Sequence, residues 1–256
     1  MKTATITLTA SLLSFFCCTV LPGQQTEVPS ISTDRPSVAT GTDLIPTGSL
    51  QQESGISWSH SGHTEAFDGP ESFLRVGVSD RIELRATLPN MNWSPGQSGI
   101  YEQDASLGTK VRIVSGSRKW PLTTGGAVSF PTGSRELTSG GVDPSVFLAT
   151  SHMFPHNILF FSSVDVASVS VGDAGRSRNT QFGADVDWCV TPKACLFVEG
   201  APFTSSVQNA SGYTTDAGMT WALAPRVQLD WRGGTTVQGG GHTVFVSIGY
   251  SRRRDR

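Results

Sequence analysis

The chain is 256 residues long, carries 19 basic against 21 acidic residues, and holds only 16% charged and 37% apolar residues beside 28 glycines and 14 prolines. A net charge of −2 excludes a polycation built to grip nucleic acid. The scarcity of Ala, Leu, Glu and Lys argues against a mainly helical protein, and 9% aromatic residues with little net charge argue against disorder.

In chain order, Met1-Lys2 gives one positive charge, and Ile6 to Val20 is apolar or small, with Leu12, Leu13, Phe15 and Phe16. Leu21-Pro22-Gly23 then precedes a polar run, so residues 1–23 are predicted to be a cleaved secretory signal. After this segment no apolar run of about 18 residues occurs, so no helical span is predicted. Cys17 and Cys18 fall inside the signal; Phe15-Phe16 just before them do not fit the small residues that a lipoprotein signal needs. Cys189 and Cys195 remain, in an exported chain where a disulfide is chemically permitted. Residues 24–48, with Pro29, Pro36 and Pro46, read as an irregular arm.

From residue 49 to 250, period-2 alternation dominates. Ile82, Leu84, Ala86 and Leu88 alternate with Glu83, Arg85 and Thr87. Phe182, Ala184, Val186 and Trp188 alternate with Gln181, Asp185 and Asp187. Val227, Leu229 and Trp231 alternate with Gln228, Asp230 and Arg232, and Val244, Val246, Ile248 and Tyr250 with Ser247 and Gly249. About twelve such segments follow one another, each roughly 8–12 residues long, the length at which a tilted strand crosses a bilayer.

The connections alternate long and short: 59–72, 79–81, 89–103, 115–120, 131–141, 154–157, 171–179, 191–193, 201–212, 223–225 and 233–242. That pattern predicts an all-β, up-and-down antiparallel transmembrane β-barrel, with short periplasmic turns, long extracellular loops and both termini on the periplasmic side. One strand face is Leu, Val, Ile, Trp and Phe, suited to lipid; the other is charged or small, suited to a wet lumen. Trp58, Trp188, Trp221, Trp231 and Tyr250 sit near strand ends, where an aromatic girdle belongs. An exported β-sandwich, with the apolar face in a core, is the soluble alternative.

Several segments resemble the outer-membrane transporter family named for the meta-pathway of phenol degradation. They are Thr33-Asp34-Arg35-Pro36; Pro46-Thr47-Gly48-Ser49-Leu50-Gln51-Gln52-Glu53-Ser54-Gly55; Leu74 to Arg85; Asp104 to Lys110; Phe130-Pro131-Thr132-Gly133; and Glu199 with Val227-Gln228-Leu229-Asp230. The resemblance runs from about residue 33 to 250. It implies a β-barrel in the outer membrane of a Gram-negative bacterium, with small compounds, aromatic ones included, as the expected solutes. Barrels of this kind usually end on an aromatic residue, whereas here Tyr250 is followed by Ser-Arg-Arg-Arg-Asp-Arg, read as a basic tail over 251–256.

The polar face carries the candidate lumenal charges Glu53, Arg75, Glu83, Arg85, Lys110, Arg112, Asp185, Asp187, Glu199, Asp230 and Arg232. Opposing rows of them can set a transverse field that orients a permeating solute; the same set can instead be an ion-pair network that props the barrel. The arm, with Asp34 and Arg35, is a candidate plug, and a solvated tether is its rival. Cys189 and Cys195 flank the tight turn Thr191-Pro192-Lys193 with matching parity, so a disulfide across the hairpin is expected. His60, His63, Glu65 and Asp68 share the first long connection, where a metal site competes with a solvated loop; no metal is assigned. Enzymatic machinery is not expected. No His is followed two residues later by Ser, and no nucleophile elbow, phosphate loop or dinucleotide fingerprint occurs. The expected partners are outer-membrane lipid, the barrel-assembly machinery and a small-molecule solute, with no nucleic acid and no cofactor. A closed structural or adhesive barrel remains the competing function.

Overall fold

The structure is a computed structural model and describes residues 31–255 apart from 97, 116–117 and 207–209. The segment expected to be a signal, including Cys17 and Cys18, lies outside the described residues. The strands are β1 (Leu50–Ser61), β2 (Thr64–Gly69), β3 (Phe73–Gly77), β4 (Ile82–Thr87), β5 (Met91–Trp93), β6 (Tyr101–Glu102), β7 (Ala105–Val114) and β8 (Leu122–Phe130). They continue with β9 (Asp143–Phe154), β10 (Ile158–Ser170), β11 (Arg176–Thr191), β12 (Ala194–Ser205), β13 (Ala210–Ala224), β14 (Val227–Gln238) and β15 (Gly241–Arg254).

Every pairing is antiparallel between neighbours, and β15 returns to pair with β1 from Leu50↔Arg254 to Ser61↔Thr243, so the sheet closes. Twelve strands ring the lumen, as the alternation predicts. The remaining three, β2, β5 and β6, raise one side of the rim: β1 pairs with β3 through its first half and with β2 through its second, and β5 adds to β2 at Phe67↔Trp93. Closure leaves no strand edge along the wall, which is what a sheet in hydrocarbon requires.

The two ends differ in their connections. Short turns such as 78–81 and 192–193 occupy the end where β1 starts and β15 finishes. At the other end, the longer connections are partly drawn out as strand, except 131–141, which holds none. The 233–242 segment is mostly β14 and β15, joined at Gly239-Gly240 with φ of 56° and 81°, the left-handed pair of a two-residue hairpin.

The faces are inverted relative to a soluble globule. Ile56, Leu107, Val146, Val198, Val246 and Ile248 point outward and are more than half exposed, while Gln51, Glu53, Arg75, Glu83, Lys110 and Asp185 are fully buried inside. The outward aliphatic band is bounded by aromatic side chains. Trp120, Trp188, Trp221 and Tyr250 lie toward the short-turn end, Trp58, Phe67 and Trp93 toward the other, and Trp231 sits one outward position further in, beside Ile248. This is the distribution expected at two lipid–water interfaces.

The end of the chain departs from expectation. Residues 251–254 are not a solvated tail: β15 runs through Arg254, and Ser251 is buried. Asp255 then accepts hydrogen bonds from Ser49 Oγ (2.8 Å), Arg226 Nε (2.6 Å) and Arg253 Nε (2.7 Å). Backbone pairing with β1 and this three-way clasp draw the arginines into the wall.

Candidate functional site

Alternation places one side chain in two inside a closed ring, so the polar residues of twelve strands converge on a single space. Two walls result. On β1, β3, β4 and β7, Arg75 lies between two carboxylates: its Nε donates to Glu83 Oε1 at 2.8 Å and its Nη1 to Glu53 Oε1 at 2.9 Å. Arg85 approaches Glu83 at 3.4 Å and lies over the Phe73 ring at 4.6 Å. Lys110, fully buried, shares this wall. A buried ion pair persists only where such bonds replace lost hydration.

The facing wall, β11 to β14, is acidic. Cross-strand register sets Asp185 beside Glu199 and Glu199 beside Asp216. Arg232 meets Asp216 at 3.5 Å and lies 5.2 Å from the Phe245 ring. Asp185 Oδ1 and Asp230 Oδ2 are buried without a hydrogen-bond partner.

The arm runs between the walls. Asp34 pairs with Arg85 and with Lys110 Nζ at 3.2 Å, and the N–H groups of Asp34 and Arg35 donate to Glu53 at 3.1 and 3.0 Å. The Ile45 N–H donates to Glu83 at 2.9 Å. Arg35 pairs with Glu71 and reaches Asp230 at 3.4 Å. Its guanidinium fits because Gly55 and Gly249 are register partners: a Cβ on Gly55 would stand 2.2 Å from Arg35 Nη2. On the acidic side, the N–H groups of Val38 and Ala39 donate to the two oxygens of Glu199 at 2.8 and 2.6 Å, and the Ser37 hydroxyl donates to Asp185. Ile31, Ala39 and Ile45 are buried, so apolar contacts hold the arm as well.

Two expected residues lie apart from this network. Arg112 is at the short-turn rim, donating to the Asp80 carbonyl at 2.7 Å, and Asp187 has no hydrogen-bond or ion-pair partner among the described residues. Instead Asp187 lines a cavity of about 500 Å³ between the arm and the wall, with Phe161 and Phe197. A pocket of about 400 Å³ opens toward the loop end beside Asp165, Asn179, Gln181 and Phe203. Asp216, Gly55 and Gly249 join the site in addition to the residues expected from the sequence. Asp216 shares the inward parity, and a glycine inside a strand marks a close approach, so both signals were present.

Cys189 and Cys195 are register partners and form a disulfide on the lumen side, closing the hairpin as expected. In the first connection His60 approaches only Glu65, at 4.0 Å, and stacks on Trp58; Asp68 accepts from the amides of Asn92 and Gln103. Among the described residues, no three groups there converge on a metal position.

Residues 33–253 match the family described as "Putative MetA-pathway of phenol degradation". The chain belongs to that family. An outer membrane channel from Pseudomonas putida F1 has the same fold, with a TM-score of 0.60 at 15% identity over 83% of this chain and 98% of that one. The NanC porin gives 0.57 at 11% identity over 79% and 98%, and the KdgM porin 0.54 at 6% over 77% and 98%. No curated protein matches the chain. At these identities the likeness carries the fold, a closed β-barrel of the outer-membrane type.

Proposed function

We propose that this barrel is a channel for the passive passage of small solutes, aromatic or otherwise apolar ones foremost, and that residues 31–48 narrow its lumen. The observation that carries this reading is the aromatic lining of an otherwise polar lumen. Phe73 and Phe147 flank Arg85, Phe245 flanks Arg232, Phe161 and Phe197 line the larger cavity, and Phe203 lines the outer pocket. Phe147, Phe197 and Phe203 lie over glycines of the neighbouring strands, and the ring faces turned to the cavities suit a solute with an apolar body, while charged rows orient its polar end. The names of the similar structures, a channel and two porins, agree with passage rather than with catalysis. In this reading the precursor loses its first 23 residues on export from the cytoplasm of a Gram-negative cell. The barrel then meets the assembly machinery and lipid, and finally the solute.

The competing reading, a closed structural barrel, is favoured by the number of bonds that seat the arm. Planar bilayers separate the two. A channel gives discrete conductance steps in the full mature chain and larger ones after deletion of residues 24–48, and liposomes swell faster in phenolic solutes than in sugars of similar size. A barrel silent in both forms overturns the proposal.

A further inference from the structure

We infer that the cavity beside Asp187 is a subsite for a small organic ammonium ion with an aromatic or aliphatic body. The inference rests on the channel reading for its place in transport and narrows the class of solute. Cross-strand register puts Asp187 on β11 between Leu159 on β10 and Phe197 on β12, and puts Phe161 beside Asp185 two residues along the same face. A carboxylate next to aromatic faces is the arrangement that recognises an ammonium group: the charge meets the carboxylate and the ring quadrupole, and the body displaces water from apolar walls.

Three observations on this wall point the same way. Asp187 lines a cavity of about 500 Å³ and has no hydrogen-bond or ion-pair partner among the described residues, although every carboxylate the arm reaches has one. Asp185, two residues along the same face of β11 and fully buried, keeps Oδ1 without a partner. Asp185, Asp187, Glu199 and Asp216 together face one wall cation, Arg232, which is 3.5 Å from Asp216. At Asp185 and Glu199 the arm supplies neutral donors only, from Ser37, Val38 and Ala39, while its cation, Arg35, goes to Asp230 on β14, so Asp187 is left without a compensating partner at the cavity. The other cations that line it are Arg35, engaged with Glu71 and Asp230, and Arg118 and Lys119, whose side chains are exposed at the short-turn end.

Isothermal titration of the full mature chain in detergent micelles, using benzyltrimethylammonium, benzyl alcohol and benzoate as probes, tests the subsite. The ammonium probe is expected to bind tightest. Asp187→Asn should weaken it about tenfold or more, the scale of an opposite charge lost from a partly desolvated site, and leave benzyl alcohol unchanged. Phe197→Leu should weaken it several-fold through the lost ring face, and Asp187→Glu should retain most of the affinity, with heat-modifiable migration reporting that each variant folds. Equal affinity for benzyl alcohol or benzoate, no binding of the ammonium probe, or full affinity in Asp187→Asn overturns the inference. Because nothing crosses a membrane in this measurement, its failure leaves the channel reading intact, and a silent bilayer leaves the subsite intact.

Discussion

The two walls of the lumen satisfy their charges by different means. On β1, β3, β4 and β7 opposite charges alternate across neighbouring strands, so Arg75, Glu53 and Glu83 close on each other and the arm adds one anion, Asp34. On β11 to β14 the inward charged residues are carboxylates apart from Arg232, and the arm answers with backbone N–H groups, a hydroxyl and, at Asp230, Arg35. The first wall is a self-contained scaffold. The second is polar surplus held in place by a removable strand of chain, which is where a site for a solute has room to form.

Substitutions sharpen that contrast. Arg75→Met removes the guanidinium shared by two buried carboxylates, leaving Glu53 to backbone N–H groups and Glu83 to Arg85 and the Ile45 N–H, and is expected to cost about 3 kcal/mol, read as a large drop in the temperature at which the folded band converts in a heat-modifiability gel. Asp185→Asn, which removes an anion among anions, is expected to leave that temperature unchanged or raise it. Equal losses from both would break the comparison. Gly55→Leu puts a side chain into the slot of Arg35, so the arm should be displaced; folded migration is retained while unit conductance rises in bilayers.

Smaller effects are expected away from the walls. Replacing both Cys189 and Cys195 by Ser opens a loop closed over a separation of 6 residues and should lower stability by about 2 kcal/mol or less, because strand register already fixes the hairpin. Asp255 gives the smallest effect and a definite sign. Hydrogen bonds from Arg253 and Ser49 hold its carboxyl at about 2, below the usual 3.8. A lowered value in the folded state means the clasp contributes fully above pH 3.8 and is lost as pH falls toward 2. Thermal conversion of the native chain and of Asp255→Asn should therefore differ at pH 5 and converge near pH 2.

Much of the barrel was legible in the residues because its determinant is local. Alternation along each segment assigns faces without knowledge of any partner, and the rhythm of connections assigns direction. Inward parity alone marked Arg75, Glu83, Lys110 and Asp185. Parity does not say how deep a residue lies, and so Arg112, on the same face as Lys110, stands at the rim with Asp80. The segment after Tyr250 departs from expectation for a related reason: arginine-rich composition suggests solvent, whereas pairing with β1 depends on where the first strand begins, some 200 residues away.

By itself, then, the sequence determined the strand count, the two faces, the closed antiparallel ring and the pairing of Cys189 with Cys195, since each follows from spacing within or between adjacent segments. Only the tertiary structure decided which carboxylate meets which donor. The arm's course through the lumen joins residues as far apart as Arg35 and Asp230, and no period links them. That same course leaves Asp187 without a partner beside two phenylalanines, a vacancy of charge that exists only once twelve strands have closed around it.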